Sequence, residues 1–298
     1  SRLTDDVLLR LGESNLHLRR PQEAITTLKM LLDRFGQSEL AGEAAYWIGE
    51  SYARIGDHEN AIKYFTLSFE NYPGNKLQDY AVYAIGWTYQ TKQDYSRAVS
   101  WYQRLLKEYR SSELAPAAMV RVGECYYYMN DFRRAIQELN NVKGSITRQE
   151  ERGEAEYLVG EAHYKLNEFE PARKQYEMFL KTYPGHKLER EVIYALGWAC
   201  LKSNDFQQAV KTFDRLTTGS DPLAHAGMFR RGVAEKLGGM KEAAAATWNS
   251  VIEKSPQGEF ADNALLESGL LLYEDGKYKE AGSLFRRLVY SYPGSDVL

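Results

Sequence analysis

The chain has 298 residues, with 38 Lys and Arg set against 41 Asp and Glu, and a net charge of −3 gives no basic stripe for nucleic acid. Hydrophobic residues make up 44% and charged residues 27%, the balance of a folded domain, and no apolar run approaches the about 20 residues of a membrane-spanning helix. Two cysteines, Cys125 and Cys200, exclude a disulfide-stapled scaffold and are compatible with both cytosol and periplasm.

Along the chain, Gly12, Gly49, Gly86, Gly123, Gly160, Gly197, Gly232 and Gly269 stand 37, 37, 37, 37, 37, 35 and 37 residues apart. Each is followed twelve residues later by alanine: Ala24, Ala61, Ala98, Ala135, Ala172, Ala209, Ala244 and Ala281. A fixed period of this size is the mark of stacked structural repeats. It predicts one body over 1–298, divided near 5–41, 42–78, 79–115, 116–152, 153–189, 190–224, 225–261 and 262–298.

Within one period two amphipathic helices follow each other. In 42–78, Ala45, Ile48, Gly49 and Tyr52 share one helical face, and Ala61, Tyr64, Phe65 and Ser68 share another. Gly56-Asp57 reads as the turn between them, and Pro73-Gly74 ends the second helix. Glycine inside a helix costs about 1 kcal/mol relative to alanine, so its recurrence calls for a compensating close approach, which the pattern places at the level of Ala61, with rings such as Tyr52 and Phe65 filling the space on either side. Further along, 147–153 reads as a solvated loop and Gly238-Gly239 as another interhelix turn. The shorter step between Gly197 and Gly232 puts a change of curvature or a hinge at Thr217–Pro222. The last repeat leaves Leu270, Leu271 and Phe285 without a following layer, which predicts a fragment of a longer protein. Cys125 and Cys200 fall on equivalent helices two repeats apart, beyond disulfide reach, so both should be free thiols.

The combination Gly49, Ala61, Phe65 and Pro73 recurs as Gly160, Ala172, Tyr176 and Pro184, as Gly232, Ala244, Trp248 and Pro256, and as Gly269, Ala281, Phe285 and Pro293. This pattern resembles the tetratricopeptide repeat (TPR) over the full chain. The resemblance implies an all-α fold, a right-handed superhelical solenoid of about eight helix-turn-helix TPR units. The usual TPR period is about 34 residues, and the excess here lies in junctions such as Tyr72-Pro-Gly-Asn-Lys-Leu and Tyr183-Pro-Gly-His-Lys-Leu. Such junctions are similar to those of bacterial cell-envelope TPR proteins, among them outer-membrane-assembly lipoproteins and the coordinator of the Tol-Pal system.

The sequence offers little chemistry. His17, His58, His163, His186 and His225 fall in different repeats without metal-ligand spacing, and no nucleophile triad or phosphate loop emerges. The reading is of a chain that is not an enzyme, with no cofactor and no metal. His163 stands where other repeats carry Tyr52, Tyr89 and Tyr126, and reads as a buried core imidazole. Glu150-Glu151 reads as solvated, and Cys125 as packing.

In the TPR fold the first helices line the concave face, and three columns around each ruler glycine point into it. There the sequence places Tyr46, Glu50, Tyr83, Trp87, Glu124, Tyr127, Tyr157, Glu161, Tyr164, Tyr194, Trp198 and Phe229. Tyrosine and tryptophan combine apolar area with a polar tip and are enriched in interfaces; the competing reading packs these rings between neighbouring first helices. Tyrosine and glutamate stand where a clamp for a C-terminal carboxylate would need lysine and asparagine. Rings and acids suit a peptide with basic and apolar side chains, or a sugar chain.

These readings predict a non-enzymatic protein-protein interaction scaffold that binds a protein or peptide segment in its concave groove, within a bacterial envelope complex. The localisation expected is the periplasm or cell envelope, with the cytoplasm as the other compartment. The alternatives are a glycan-associated module in polysaccharide export or cell-wall work, and a cytosolic recruitment domain of a larger regulatory protein. Neither a nucleic-acid partner nor a transmembrane segment is expected.

Overall fold

The computed structural model describes residues 2–219, 221–295 and 297; Ser1, Ser220, Asp296 and Leu298 lie outside the described residues, and with them parts of the Thr217–Pro222 junction and of the C-terminal end. Sixteen helices follow one another, and no strand occurs among the described residues. They form helix-turn-helix pairs. The first four are α1 (Arg2–His17) with α2 (Pro21–Phe35), α3 (Ala41–Arg54) with α4 (His58–Glu70), α5 (Gln78–Thr91) with α6 (Tyr95–Glu108), and α7 (Ala115–Tyr128) with α8 (Phe132–Val142). The next four are α9 (Gln149–Lys165) with α10 (Phe169–Thr182), α11 (Glu189–Lys202) with α12 (Phe206–Asp214), α13 (Pro222–Leu237) with α14 (Lys241–Lys254), and α15 (Ala261–Glu274) with α16 (Tyr278–Ser291).

Contacts group the chain into two compact units, Ser1–Thr147 and Arg148–Leu298. In the first, each helix packs on the next, and α3 also touches the first helices on either side, α1 and α5. In the second, α11 likewise touches α9 and α13. The 35-residue step is taken up by α12, only nine residues long, after which Leu216 is fully buried and Asp221 accepts from the backbone N–H of Ala224 to start α13. The division into units falls at Thr147, not in that shorter junction.

Each pair is closed by the ruler glycine, and what lies directly on it is the large side chain sixteen residues on, one turn beyond the alanine. A Cβ on Gly49 would stand 2.6 Å from the Phe65 ring, and one on Gly86 would stand 2.8 Å from Tyr102. Gly12, Gly123, Gly160, Gly197, Gly232 and Gly269 meet Leu28, Leu139, Tyr176, Phe213, Trp248 and Phe285 in the same way, always sixteen residues on. The absent side chain is the seat of a large one, and Phe65, Tyr102, Tyr176, Phe213 and Trp248 are among the largest fully buried residues.

The turn between the helices also repeats. The residue two before the start of each second helix is left-handed, with Arg19, Gly56, Gln93, Asn130, Asn167, Asn204, Gly239 and Gly276 all at positive φ. Glycine and asparagine tolerate that conformation, whereas Arg19 and Gln93 are strained in it. Asp57, Asp94, Asp131 and Asp205 then cap the second helix by accepting from the backbone N–H three residues on. The longer junctions serve a similar purpose at the first helix. Ser38, Ser112 and Ser295 donate to Asp5, Asp79 and Asp262, each 33 residues earlier, and the same hydroxyls accept from the N–H of Leu40, Leu114 and Val297. Asn75 and His186 hold that place in two other repeats, accepting from Leu77 and Leu188.

Two expectations are corrected here. The 147–153 stretch is not a loop throughout, because Gln149–Gly153 form the first turns of α9, where Glu150 pairs with Lys187 at 3.3 Å. His163 is half-buried instead of lying in the core, because its Nδ1 reaches outward to Glu168 at 2.8 Å. Cys125 and Cys200 are free and buried, and burial pushes the Cys125 thiol up to about 12 and the Cys200 thiol up to about 11.

Three outcomes follow from this packing. Gly86→Ala gains about 1 kcal/mol of helix propensity but crowds Tyr102, at an overpacking cost of about 1–3 kcal/mol, so denaturant unfolding should show a net loss. Gly282→Ala in α16, where a Cβ meets nothing within 4 Å, should instead stabilise by up to about 1 kcal/mol. A thiol-reactive chromophore at neutral pH should leave both cysteines unmodified in the native chain and titrate both in denaturant, since the thiolate is the reacting form.

Candidate functional site

Helical spacing gathers the predicted residues. On α3, Tyr46 and Glu50 lie one turn apart, and on α5, Tyr80, Tyr83, Ala84 and Trp87 share one face. With Leu114 and Arg121 they line a cleft of about 390 Å³ within the first unit. In the second unit a cleft of about 510 Å³ is lined by Tyr157, Glu161, Tyr164 and Lys165 of α9, by Glu191, Tyr194, Ala195, Trp198 and Lys202 of α11, and by Leu223 at the start of α13.

The two clefts are the same constellation in register. Tyr46, Glu50, Tyr83, Ala84 and Trp87 recur three repeats later as Tyr157, Glu161, Tyr194, Ala195 and Trp198, each shifted by 111 residues. Leu114 and Arg121 recur as Leu223 and Arg230, shifted by 109 because of the shorter step. The geometry recurs with the residues. The Arg121 guanidinium lies 4.6 Å from the centre of the Trp87 ring, and that of Arg230 lies 4.5 Å from the centre of Trp198. Such stacking holds the planar cation against the ring while leaving its N–H edge available.

Around this shared frame the polar groups differ. In the first cleft, Arg121 donates to Glu124 at 2.7 Å, Gln90 donates to the same carboxylate oxygen at 3.1 Å, and Glu50 pairs with Arg54 at 3.0 Å. Burial works against the charge of Arg121, yet the Glu124 carboxylate outweighs it and holds the guanidinium above the ordinary arginine range. In the second cleft, Glu161 accepts from the Tyr176 hydroxyl at 2.6 Å. Burial, then the nearby Glu161 and Tyr194, push the Tyr164 phenol up.

Three of the twelve sequence-selected residues stand apart from the clefts. Glu124 is buried and committed to Arg121 and Gln90. Phe229 is buried between Trp248 and Phe260, its ring stacked on the latter at 5.4 Å. Tyr127 packs against Tyr128 and Phe132. Column reasoning missed Tyr80, Leu114 and Arg121 in the first cleft and Glu191, Leu223 and Arg230 around the second. They occupy columns six, nine and two residues before the ruler glycine, and aligning the repeats three apart exposes them. Among the described residues no group of three or more metal-ligating side chains gathers.

Family models of the tetratricopeptide repeat match residues 9–76, 81–114 and 263–295. The chain is a tetratricopeptide-repeat protein. Residues 127–267 match the family model of an outer membrane lipoprotein, YfiO, in keeping with the envelope-type junctions. Among solved structures, the TPR chain is similar to the C-terminal part of a TPR repeat-containing protein from Cytophaga hutchinsonii, at 16% identity and a TM-score of 0.70, covering 86% of this chain and 99% of that one. It is also similar to a tetratricopeptide repeat protein from Parabacteroides merdae, at 13% identity and a TM-score of 0.59, covering 88% and 97%. At such identities the likeness is one of fold. No curated protein matches the chain in sequence.

Glu124→Ala should lower the unfolding free energy by about 2 kcal/mol in denaturant titration, because it strands the partly buried Arg121 without its carboxylate. Glu124→Gln, which keeps an acceptor, should lose less.

Proposed function

We propose that the TPR chain is a non-enzymatic scaffold that docks protein segments in its two first-helix clefts, as part of a bacterial envelope complex. The observation that carries this reading is the duplication of one ring, acid and arginine constellation at a three-repeat spacing. Core packing needs only the contact between ruler glycine and ring, which repeats every period. A motif that repeats every third period, on a face where Trp87 remains 45% exposed, serves something other than the core. Tyrosine, tryptophan and arginine are the residues most enriched at the centres of protein interfaces. The envelope assignment is supported by the outer membrane lipoprotein resemblance over 127–267, and no helix among the described residues is long and apolar enough to cross a membrane.

A glycan would use the same rings through their faces. Here one face of Trp87 and one of Trp198 carry an arginine, which favours a protein segment.

The test replaces both tryptophans. Trp87→Ala combined with Trp198→Ala should abolish retention of the chain's partners from an envelope extract of its own organism, with the thermal midpoint within a few degrees of the parent. A large fall in the midpoint with retention intact would show that the rings serve packing. Retention on insoluble peptidoglycan that is lost in the same variant would favour the glycan reading.

A further inference from the structure

The twin clefts differ in one respect that points to the partner's chemistry for the second, an inference that rests on reading the clefts as docking sites. In the first cleft the tryptophan-stacked arginine finds its carboxylate within the chain, where Glu124 holds Arg121. In the second, Val233 occupies the position of Glu124. Arg230 is stacked on Trp198 and packs against Phe229 at 5.2 Å, yet it makes no ion pair among the described residues, and its buried Nε has no hydrogen-bond partner. Arg230 thus reaches this cleft through the Trp198 ring, while Lys165 and Lys202 line it without an ion pair among the described residues, where the first cleft's register has the paired Arg54 and the neutral Thr91.

Against these three cations stand two carboxylates. Glu161 is engaged by the Tyr176 hydroxyl, and Glu191 has one buried oxygen, Oε2, with no partner. The arginine at the first cleft is neutralised by a residue of the chain, while the one held on Trp198 of the second cleft has no carboxylate partner among the described residues.

We propose that the second unit's cleft binds a protein segment bearing an aspartate or glutamate side chain beside an aromatic or aliphatic one. Its carboxylate takes on Arg230 the place that Glu124 takes on Arg121, its apolar neighbour packs among Tyr157, Tyr194 and Trp198, and a backbone N–H of the same segment satisfies Glu191. Lys165 and Lys202 favour further acidic residues on either side. This inverts the preference for basic segments that the rings and glutamates suggest when read from sequence alone. A charge-assisted bond between guanidinium and carboxylate in such a setting is a strong one, and Val233 keeps the chain from supplying it.

A random dodecapeptide library displayed on phage, selected on the intact chain held by a terminal tag, provides the probe. Selected sequences should be enriched in Asp or Glu next to an aromatic or aliphatic residue. Resynthesised with acetylated and amidated ends, they should bind about tenfold or more weakly to Arg230→Gln, as expected for loss of a charged hydrogen bond. Val233→Glu, which installs the first cleft's own carboxylate, should weaken them to a similar extent. Replacing the peptide's acid by its amide should weaken binding to the parent chain but add little to Arg230→Gln, the signature of a direct pair. Enrichment of Lys or Arg, or acidic peptides indifferent to Arg230→Gln while still dependent on Trp198, would overturn the acidic assignment and leave the docking reading standing. If no recovered peptide depends on Trp198 or Trp87, the docking reading fails and takes this proposal with it.

Discussion

The contact on which every repeat depends is that of a glycine with the large side chain sixteen residues further on. An α-helix normally keeps its neighbour at the distance set by the side chains between them. Removing the side chain at one point lets a whole ring, such as Phe65 or Tyr102, lie against the first helix's backbone. The alanine twelve residues on is the smaller companion of this contact, since Ala61 and Ala98 are fully buried without filling the gap. Once that seat is fixed, the relative placement of the two helices is fixed, and with it the outer face of the first helix. Ring, acid and arginine columns can then recur at a defined register from repeat to repeat.

Much of this was legible in the residues, because repetition converts weak single signals into strong ones. The helix pairs, their turns and the TPR resemblance all follow from the ruler and from proline and glycine punctuation. The level of the close approach and the filling of its space by Phe65 also follow, whereas the seating of the ring directly on the glycine does not, since spacings of twelve and of sixteen both lie on the facing side of the second helix and only packing separates them. His163 was misread for a related reason. A column says which way a side chain leaves the helix, but Glu168 in the following turn offers a charged partner that draws the imidazole away from the interior. Likewise 147–153 is rich in charge, yet Arg148 to Glu151 and Glu150 to Lys187 ion pairs support the early turns of α9.

At the clefts, single columns were too coarse. Glu124 and Glu161 share a column, but one is buried against Arg121 and the other lines a cleft, because arginine stands two residues before Gly123 and leucine, Leu158, two before Gly160. Charge on such a face is set by pairs made along the same helix, between different columns. A reading confined to one column at a time counts Glu50 and Glu124 as available acids, although Arg54 and Arg121 already neutralise them. Only the comparison of the two clefts separates satisfied charge from open charge.

The three-repeat spacing of the clefts also bears on how such a chain can be built and varied. Each cleft draws on three consecutive helix pairs, Tyr46 to Arg121 in one case and Tyr157 to Leu223 in the other, and each set lies inside one compact unit. The module of recognition is therefore larger than the module of folding. Loss or gain of a single repeat inside either set would leave every glycine seated on its ring while scattering the residues that must meet. A change by three repeats would leave the remaining cleft whole, so evolution can lengthen such a chain repeat by repeat but can copy its binding faces only in threes.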